Sequence, residues 1–368
     1  MKILFIYDHY FPHIGGAEIL YQHVAEAAAK EHSVTVITIW EKGAKEFEVQ
    51  NNVTIWRMKS FKRILFPFFA FWKALQIAKQ SDLIQTSLYS SAVLTWVISI
   101  LVRIPTILLV HEVIGQNWYN IGIPKVFAWF NKVAEKIAVT RKFSGYVAVS
   151  QSTKKQLQDY NIPEKKIEVI YNGIDEKLFS QRQRNNELRE KLGITDKQFV
   201  YFYSGRPGVT KGIWYLLDAC KELYHQNNIR CVLLLSKKPE AEYLKVKNFI
   251  RENKLTKHVI LLEPVLREDV PSYFAIADVI VVPSLTEGFG FSAAEASSMR
   301  IPLIVTNAGS LPEVVSGKVI TIEAHSTSAI VEAITKAMKG DFQKIPEKSF
   351  IWKEAEKGYL QLYKEITK

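Results

Sequence analysis

The stretch ADVIVVPSLTEGFGFSAAEASSM, residues 277–299, opens on the apolar run Ala277-Asp278-Val279-Ile280-Val281-Val282. A run of this kind, closed by Pro283 and Ser284, reads as a strand buried on both faces, the habit of a parallel sheet. Gly288 and Gly290 then supply a pliable turn where bulkier residues would hold the backbone off a ligand. From about Ser292 the composition becomes helical, with Ala293, Ala294, Glu295, Ala296 and Met299. Strand, glycine loop and helix N-terminus make an anion site, because free amides and the helix dipole both point at the loop. Glu287 and Glu295 flank that site, so the ligand carries hydroxyls on both sides of its phosphates, as a nucleotide sugar does. Ser292 and Glu295 also have the spacing of a capping box, and Glu287 alone could be a solvated loop acid. The stretch by itself leaves both readings open.

Working outward, strands alternate with helical segments along the whole chain. Ile3–Tyr7, Val34–Ile39, Val53–Met58, Leu83–Thr86, Thr106–Val110, Tyr146–Val149 and Ile167–Tyr171 read as strands of a first sheet. A polar stretch from Lys177 to Lys197 reads as a linker. The alternation then restarts at Phe199–Ser204 and continues through Arg230–Leu235, Val259–Leu262, Val279–Val282 and Leu303–Thr306. A last helix, Trp352 to Ile366, follows the break at Pro346. Alternation of this kind predicts an α/β protein of two doubly wound, Rossmann-like domains. The boundaries expected are 1–180 for the first domain, 198–345 for the second and 346–368 for the closing helix. Ligands of such folds bind at the strand carboxyl ends, which places the expected crevice between the domains.

The 368-residue length itself favours two domains, and 48% hydrophobic with 23% charged residues is the composition of a folded, soluble-type chain. Cys220 and Cys231 form no disulfide framework, which fits a reducing cytoplasm. The N-terminus turns polar too soon for a signal peptide and reads as a first strand. Leu88–Val102 falls short of a membrane span and reads as a buried helix. The net charge of +11 asks for an anionic partner. No nucleic-acid-binding signature is present, which leaves phosphorylated ligands or an anionic membrane.

Ser204-Gly205-Arg206-Pro207-Gly208-Val209-Thr210-Lys211-Gly212 follows the restart strand. It lacks Walker A spacing, yet Arg206 and Lys211 bracket a tight turn at a strand end. They could converge on one diphosphate or form a plain basic surface turn. His111 closes the strand Ile107–Val110, where neutral imidazole could hydrogen-bond a sugar hydroxyl or simply serve the structure. No group of His, Cys and Asp has metal-ligand spacing along the chain. Bound diphosphate would then be neutralised by Arg206, Lys211 and helix amides without a metal.

These residues carry a family resemblance. Gly15-Gly16-Ala17-Glu18, His111, Val149-Ser150, Asn172-Gly173-Ile174-Asp175, Gly205-Arg206, Lys211-Gly212, Glu287-Gly288-Phe289-Gly290 and Glu295 occur in family order. Over essentially its whole length the chain resembles the GT4 family of retaining glycosyltransferases with the GT-B fold. The resemblance implies that Glu287 contacts the donor sugar beside the amides of Phe289 and Gly290, within a loop running from Gly288 to Phe291. It implies that Glu295 holds the ribose hydroxyls and that Arg206 and Lys211 bind the diphosphate and stabilise the departing charge. His111 would face the donor sugar, Gly15, Gly16 and Asn172 would line the donor site, and Val265 would present backbone to the base. The closing helix would pack back toward the N-terminal domain. The implied reaction uses a UDP- or GDP-sugar as co-substrate, needs no cofactor or metal, and proceeds by front-face attack without a protein nucleophile. A nucleotide-sugar 2-epimerase and a non-catalytic binding subunit share the architecture, and the ordered motifs favour the transferase.

Between Val49 and Ser81 there is no acidic residue, while Arg57, Lys59, Lys62, Arg63, Lys73 and Lys79 alternate with Phe61, Ile64, Leu65, Phe66, Phe68, Phe69, Phe71 and Trp72. Lys125 to Lys142 repeats the pattern with Phe127, Trp129 and Phe130. These stretches read as membrane-surface elements, or else as core aromatics with solvated lysines. The first reading gives a cytoplasmic enzyme, peripheral at the inner membrane face, with a glycan or lipid-linked acceptor and no nucleic-acid partner.

Overall fold

The structure, a computed structural model, describes residues 1–13 and 15–368. It divides into one unit made of Met1–Gly173 with Phe350–Lys368 and a second of Ile174–Ser349.

The first unit is built on an eight-stranded sheet: β1 (Lys2–Ile6), β2 (Ser33–Ile39), β3 (Phe47–Gln50), β4 (Val53–Met58), β5 (Leu83–Ser87), β6 (Thr106–Val110), β7 (Gly145–Ala148) and β8 (Ile167–Val169). Their order is β3-β4-β2-β1-β5-β6-β7-β8, with only β3 antiparallel to its neighbour. The helices between them are α1 (Gly16–Ala28), α2 (Phe66–Ala78), α3 (Ser90–Val102), α4 (Lys125–Val139) and α5 (Gln151–Asp159). Helix α1 shows how pattern becomes packing: Leu20, Tyr21, Val24, Ala27 and Ala28 recur on one face, and all are buried.

The second unit carries a seven-stranded sheet of β9 (Phe199–Gly205), β10 (Ile229–Leu235), β11 (Val259–Leu262), β12 (Val279–Val282), β13 (Leu303–Thr306), β14 (Gly317–Ile322) and β15 (Gln343–Ile345). Its order is β11-β10-β9-β12-β13-β14-β15, parallel except for β15. Helices α6 (Asn186–Lys191), α7 (Ile213–Leu223), α8 (Glu240–Glu252), α9 (Val270–Phe274), α10 (Phe291–Ser298), α11 (Leu311–Val314) and α12 (Thr327–Met338) complete it, with an apolar core on each face of the sheet. Both units are therefore doubly wound α/β layers.

The stretch Lys177–Lys197, read from its polarity as a linker, lies inside the second unit. Phe179 and Ile194 are buried in its core. Buried Arg189 donates to the Ile276 carbonyl at 2.8 Å and pairs with Asp278 at 3.2 Å. Sparse apolar anchors in a polar run suffice to hold it, and average composition hides them.

The final helix, α13 (Trp352–Ile366), belongs to the first unit and packs on α1. Its buried Ala355, Tyr359, Leu362 and Tyr363 form the inward stripe. Tyr363 donates its hydroxyl to Gln85 Oε1 at 2.6 Å, and Gln85 Nε2 donates to the Tyr7 hydroxyl at 2.8 Å. The Tyr7 ring stacks on Tyr21 at 3.9 Å.

Helix α2 turns one buried edge to the sheet, with Phe66, Ala70, Ala74 and Ala78, and leaves Phe68 and Trp72 86% and 76% exposed. Phe61, ahead of it, is 92% exposed. Helix α3 packs against both α2 and α4, and α4 exposes Val126, Phe127, Trp129, Phe130 and Ile137. Expected as a buried helix, α3 buries Ala92, Leu94 and Ile98 and exposes Ile100 and Leu101 near its end. No helix among the described residues is long and apolar enough to cross a membrane.

Candidate active site

Strands β9 and β12 are parallel neighbours, so the loops leaving their carboxyl ends meet. The Leu285 amide donates to the Thr210 carbonyl at 2.8 Å and ties the two loops together. Lys211 comes from one loop and Glu287 from the other, and Lys211 Nζ lies 2.8 Å from both Glu287 carboxylate oxygens. Ser284 Oγ donates to Glu287 Oε2 at 3.0 Å, and the Ser310 amide donates to the Glu287 carbonyl at 3.0 Å. Two glycines permit this closeness. Gly212 has φ +66°, and any Cβ there would collide with the Pro283 carbonyl. Gly309 has φ +56°, and a Cβ would collide with the Glu287 backbone. Arg206 follows β9; its carbonyl accepts from the Tyr203 hydroxyl at 3.0 Å, and its side chain is exposed.

Helix α10 begins at Phe291 with Gly290 as N-cap at φ +88°, and no side chain caps it. Ser292 is therefore already inside the helix, and its hydroxyl donates to the Ser204 carbonyl at 3.1 Å. The capping-box reading of Ser292 and Glu295 fails for that reason: the helix starts one residue earlier than composition suggested. Glu295 is only 2% exposed and pairs with Arg267 Nη2. Burial holds its carboxyl above the usual range, and the Arg267 guanidinium opposes that rise. Arg267 also sits 4.5 Å above the buried Phe179 ring. Gly288 and Phe289 are buried, with the Phe289 ring edge-on to Phe291 at 5.2 Å. Val265, half-buried after β11, rests on the same core.

The second unit thus brings Lys211, Glu287, Gly288, Phe289, Gly290, Phe291 and Glu295 onto two adjoining loops and one helix turn. Sequence reasoning missed Arg267 and Ser284, which hold the two carboxylates, and Gly309 and Ser310, which meet the Glu287 backbone. Arg267 pairs across 28 residues of chain, and no local pattern announces such a contact.

In the first unit, His111 closes β6. Its carbonyl accepts from Thr153 Oγ1 at 3.3 Å, and its ring lies 5.3 Å from Tyr21. Burial pushes its pKa down to about 4, so the imidazole is neutral near pH 7. Its Nε2 is buried without a partner among the described residues, and so are both amide atoms of Asn172. Buried polar atoms are nearly always satisfied in native proteins, which makes these groups ready to meet a ligand or water. Gly15 caps α1 in an extended conformation, and Gly16 is its first residue.

Comparison with known proteins gives the chain its relatives. Residues 14–178 match Glycosyltransferase Family 4, and residues 184–357 match Glycosyl transferases group 1. An uncharacterized glycosyltransferase of Methanocaldococcus jannaschii is 26% identical over 87% of this chain and 84% of its own length. A UDP-Gal:alpha-D-GlcNAc-diphosphoundecaprenol alpha-1,3-galactosyltransferase of Escherichia coli is 28% identical over 61% of this chain and 58% of its own. Among solved structures, the Anabaena protein HepE in complex with UDP-glucose superposes with a TM-score of 0.75. That likeness covers 100% of this chain and 97% of HepE at 22% identity.

Proposed function

The chain belongs to the family 4, group 1 glycosyltransferases and is an enzyme that transfers sugars, and we propose that it moves the sugar of a UDP- or GDP-sugar, with retention, to a hydroxyl of a glycan or lipid-linked acceptor. The observation that carries this reading is the bidentate Lys211–Glu287 pair on the glycine loops. An ammonium has three donors, and two are spent on Glu287. The third is free for a diphosphate oxygen, so one group couples the sugar contact to the leaving group. Arg206 and the first amides of α10 add positive potential for the same diphosphate, without a metal. Glu295 takes the ribose hydroxyls, and Val265 offers backbone to the base.

Glu287 is held by Lys211 and Ser284, an environment that suits a hydrogen-bonding partner better than a nucleophile. The proposed step is front-face displacement: the anomeric C–O bond to the diphosphate breaks as the bond to the acceptor oxygen forms. The hydroxyl proton passes to the departing diphosphate. Neutral His111 and Asn172 supply hydrogen bonds to substrate hydroxyls, and Gly15 and Gly16 allow close backbone approach. UDP-glucose in the HepE complex and the UDP-galactose of the E. coli relative's name support a uridine donor.

The diphosphoundecaprenol substrate in that same name supports a lipid-linked acceptor. The exposed aromatic faces of α2 and α4 support peripheral attachment to the inner, cytoplasmic face of a membrane. Arg57 and Arg63 drop out of the lipid-facing charge. Arg57 is buried, and Arg63 pairs with buried Asp8. Lys62 and Lys79 remain exposed there.

The test is a panel of UDP- and GDP-sugars followed by thermal unfolding and by slow donor hydrolysis. One donor class should stabilise the protein and be hydrolysed, with both effects lost in Lys211→Ala. A panel in which no nucleotide sugar binds or turns over overturns the reading.

A further inference from the structure

The loops that leave β1 and β2 bring three chemically matched side chains together in the first unit. His9 and His13 follow β1, Glu41 follows β2, and the two strands are parallel neighbours. His13 Nδ1 lies 2.6 Å from Glu41 Oε1, and His9 Nδ1 lies 3.6 Å from the same oxygen. The imidazole rings stack at 4.5 Å. One nitrogen from each ring and one carboxylate oxygen all fall within 4.8 Å of one another. His9 Nδ1 is buried and has no hydrogen-bond partner among the described residues, so one ring nitrogen of the group is left unsatisfied.

The ligand-bearing segments are held from behind. Buried Arg57 donates from Nη2 to the Phe11 carbonyl at 2.8 Å and from Nη1 to the Lys45 carbonyl at 2.9 Å. One guanidinium therefore clamps the histidine loop to the segment after Glu41. The His13 amide donates to the Tyr10 carbonyl at 3.0 Å, and the Ala44 amide donates to the Glu41 carbonyl at 3.0 Å. His13 and Glu41 thus each sit on a closed turn, part of the pre-organisation a metal site needs.

We infer that His9, His13 and Glu41 form a divalent transition-metal site, with Zn2+ as its natural occupant. Two imidazoles and one carboxylate are the donor set of three-ligand zinc sites, which leave one position for water or a substrate oxygen. Hard ions such as Mg2+ and Ca2+ prefer all-oxygen shells and suit this group poorly. His13 stands two positions before Gly15, which caps α1. All three ligands belong to the first unit. Spacing along the chain hides the site, because Glu41 arrives from another strand.

The experiment uses the full chain without a polyhistidine tag, stripped by chelator and titrated with Co2+, then with Zn2+ in competition. One equivalent of Co2+ should give the visible absorption of a four-coordinate ion, and Zn2+ should displace it. His9→Ala, His13→Ala and Glu41→Gln should each weaken binding by about tenfold or more. Glu41→Gln keeps a hydrogen-bond partner for His13 and guards against a folding artefact, which circular dichroism checks. Absence of Co2+ absorption, or the same affinity in all three variants, overturns the site. Because the metal is read directly and without a nucleotide sugar, the outcome is separate from that of the proposed transfer reaction.

Discussion

Lys211 and Glu287 stand 76 residues apart in the chain and share a two-armed ion pair, each carboxylate oxygen 2.8 Å from the same ammonium. Neither is fully shielded, at 25% and 13% exposure, so water screens the pair in part, and removing one partner costs less than it would in a fully buried pair. Lys211→Ala should cost about 1–3 kcal/mol of stability by leaving Glu287 poorly paired. The double variant with Glu287→Gln should recover part of that loss. Denaturant unfolding of the three variants measures the coupling, and strict additivity would show that the contact carries no energy.

The Glu295–Arg267 pair separates structural from binding roles. Glu295→Gln keeps the shape and most hydrogen-bonding capacity of the side chain, so unfolding should move by only about 1 kcal/mol. Donor affinity, read by calorimetry, should fall about tenfold or more if the carboxylate holds the ribose. Unchanged affinity would assign Glu295 to the support of Arg267 alone.

His111 predicts a pH dependence with a definite sign. Its folded pKa of about 4 lies below the ordinary value near 6.5, so between them the unfolded chain binds more protons. Stability contributed by the neutral, buried ring is fully present above about pH 6.5 and is lost as pH falls toward 4. The upper limit is about 3 kcal/mol for this shift. Unfolding of His111→Gln across that window should show a shallower slope than the parent, and parallel slopes would refute the burial argument.

Gly212 should tolerate no side chain. Gly212→Ala pairs a left-handed backbone with a collision against the Pro283 carbonyl, and the loops cannot keep their contact. A loss of about 3 kcal/mol or more is expected in thermal unfolding, whereas Gly43→Ala meets open space at a similar φ and should cost about 1 kcal/mol.

Membrane attachment has a direct readout on α2. Phe68→Ser with Trp72→Ser removes two exposed rings without touching the buried edge of the helix. Sedimentation with anionic vesicles at low salt should fall about tenfold or more, given about 1.5–3 kcal/mol for each large side chain fully buried. A parent protein that ignores such vesicles would end the proposal.

Much of this architecture was legible in the chain. Val279–Val282 and the loop after it declare themselves because strand burial, glycine turn and helix start are local signals. The motif residues sit where the strand ends should put them. What stayed hidden depends on contacts made across the fold. Arg57 and Arg63 looked like free surface charge, yet Arg57 is buried and reaches the Phe11 carbonyl 46 residues back, and Arg63 pairs with Asp8 55 residues back. The Lys177–Lys197 stretch looked like a linker because Phe179 and Ile194 are too few to lift its mean polarity. The spacing of Ser292 and Glu295 fitted a cap, but a glycine at positive φ had already begun the helix.

The hydrogen bond from Tyr363 to Gln85 has a bearing on synthesis. The second unit is one uninterrupted segment, so its whole sequence has left the ribosome before the final helix appears. The first unit, although translated first, lacks the tyrosine that completes the Tyr7–Gln85 chain until the last turns of α13 emerge. Its core therefore matures last, and the order of translation is the reverse of the order in which the two units can be finished.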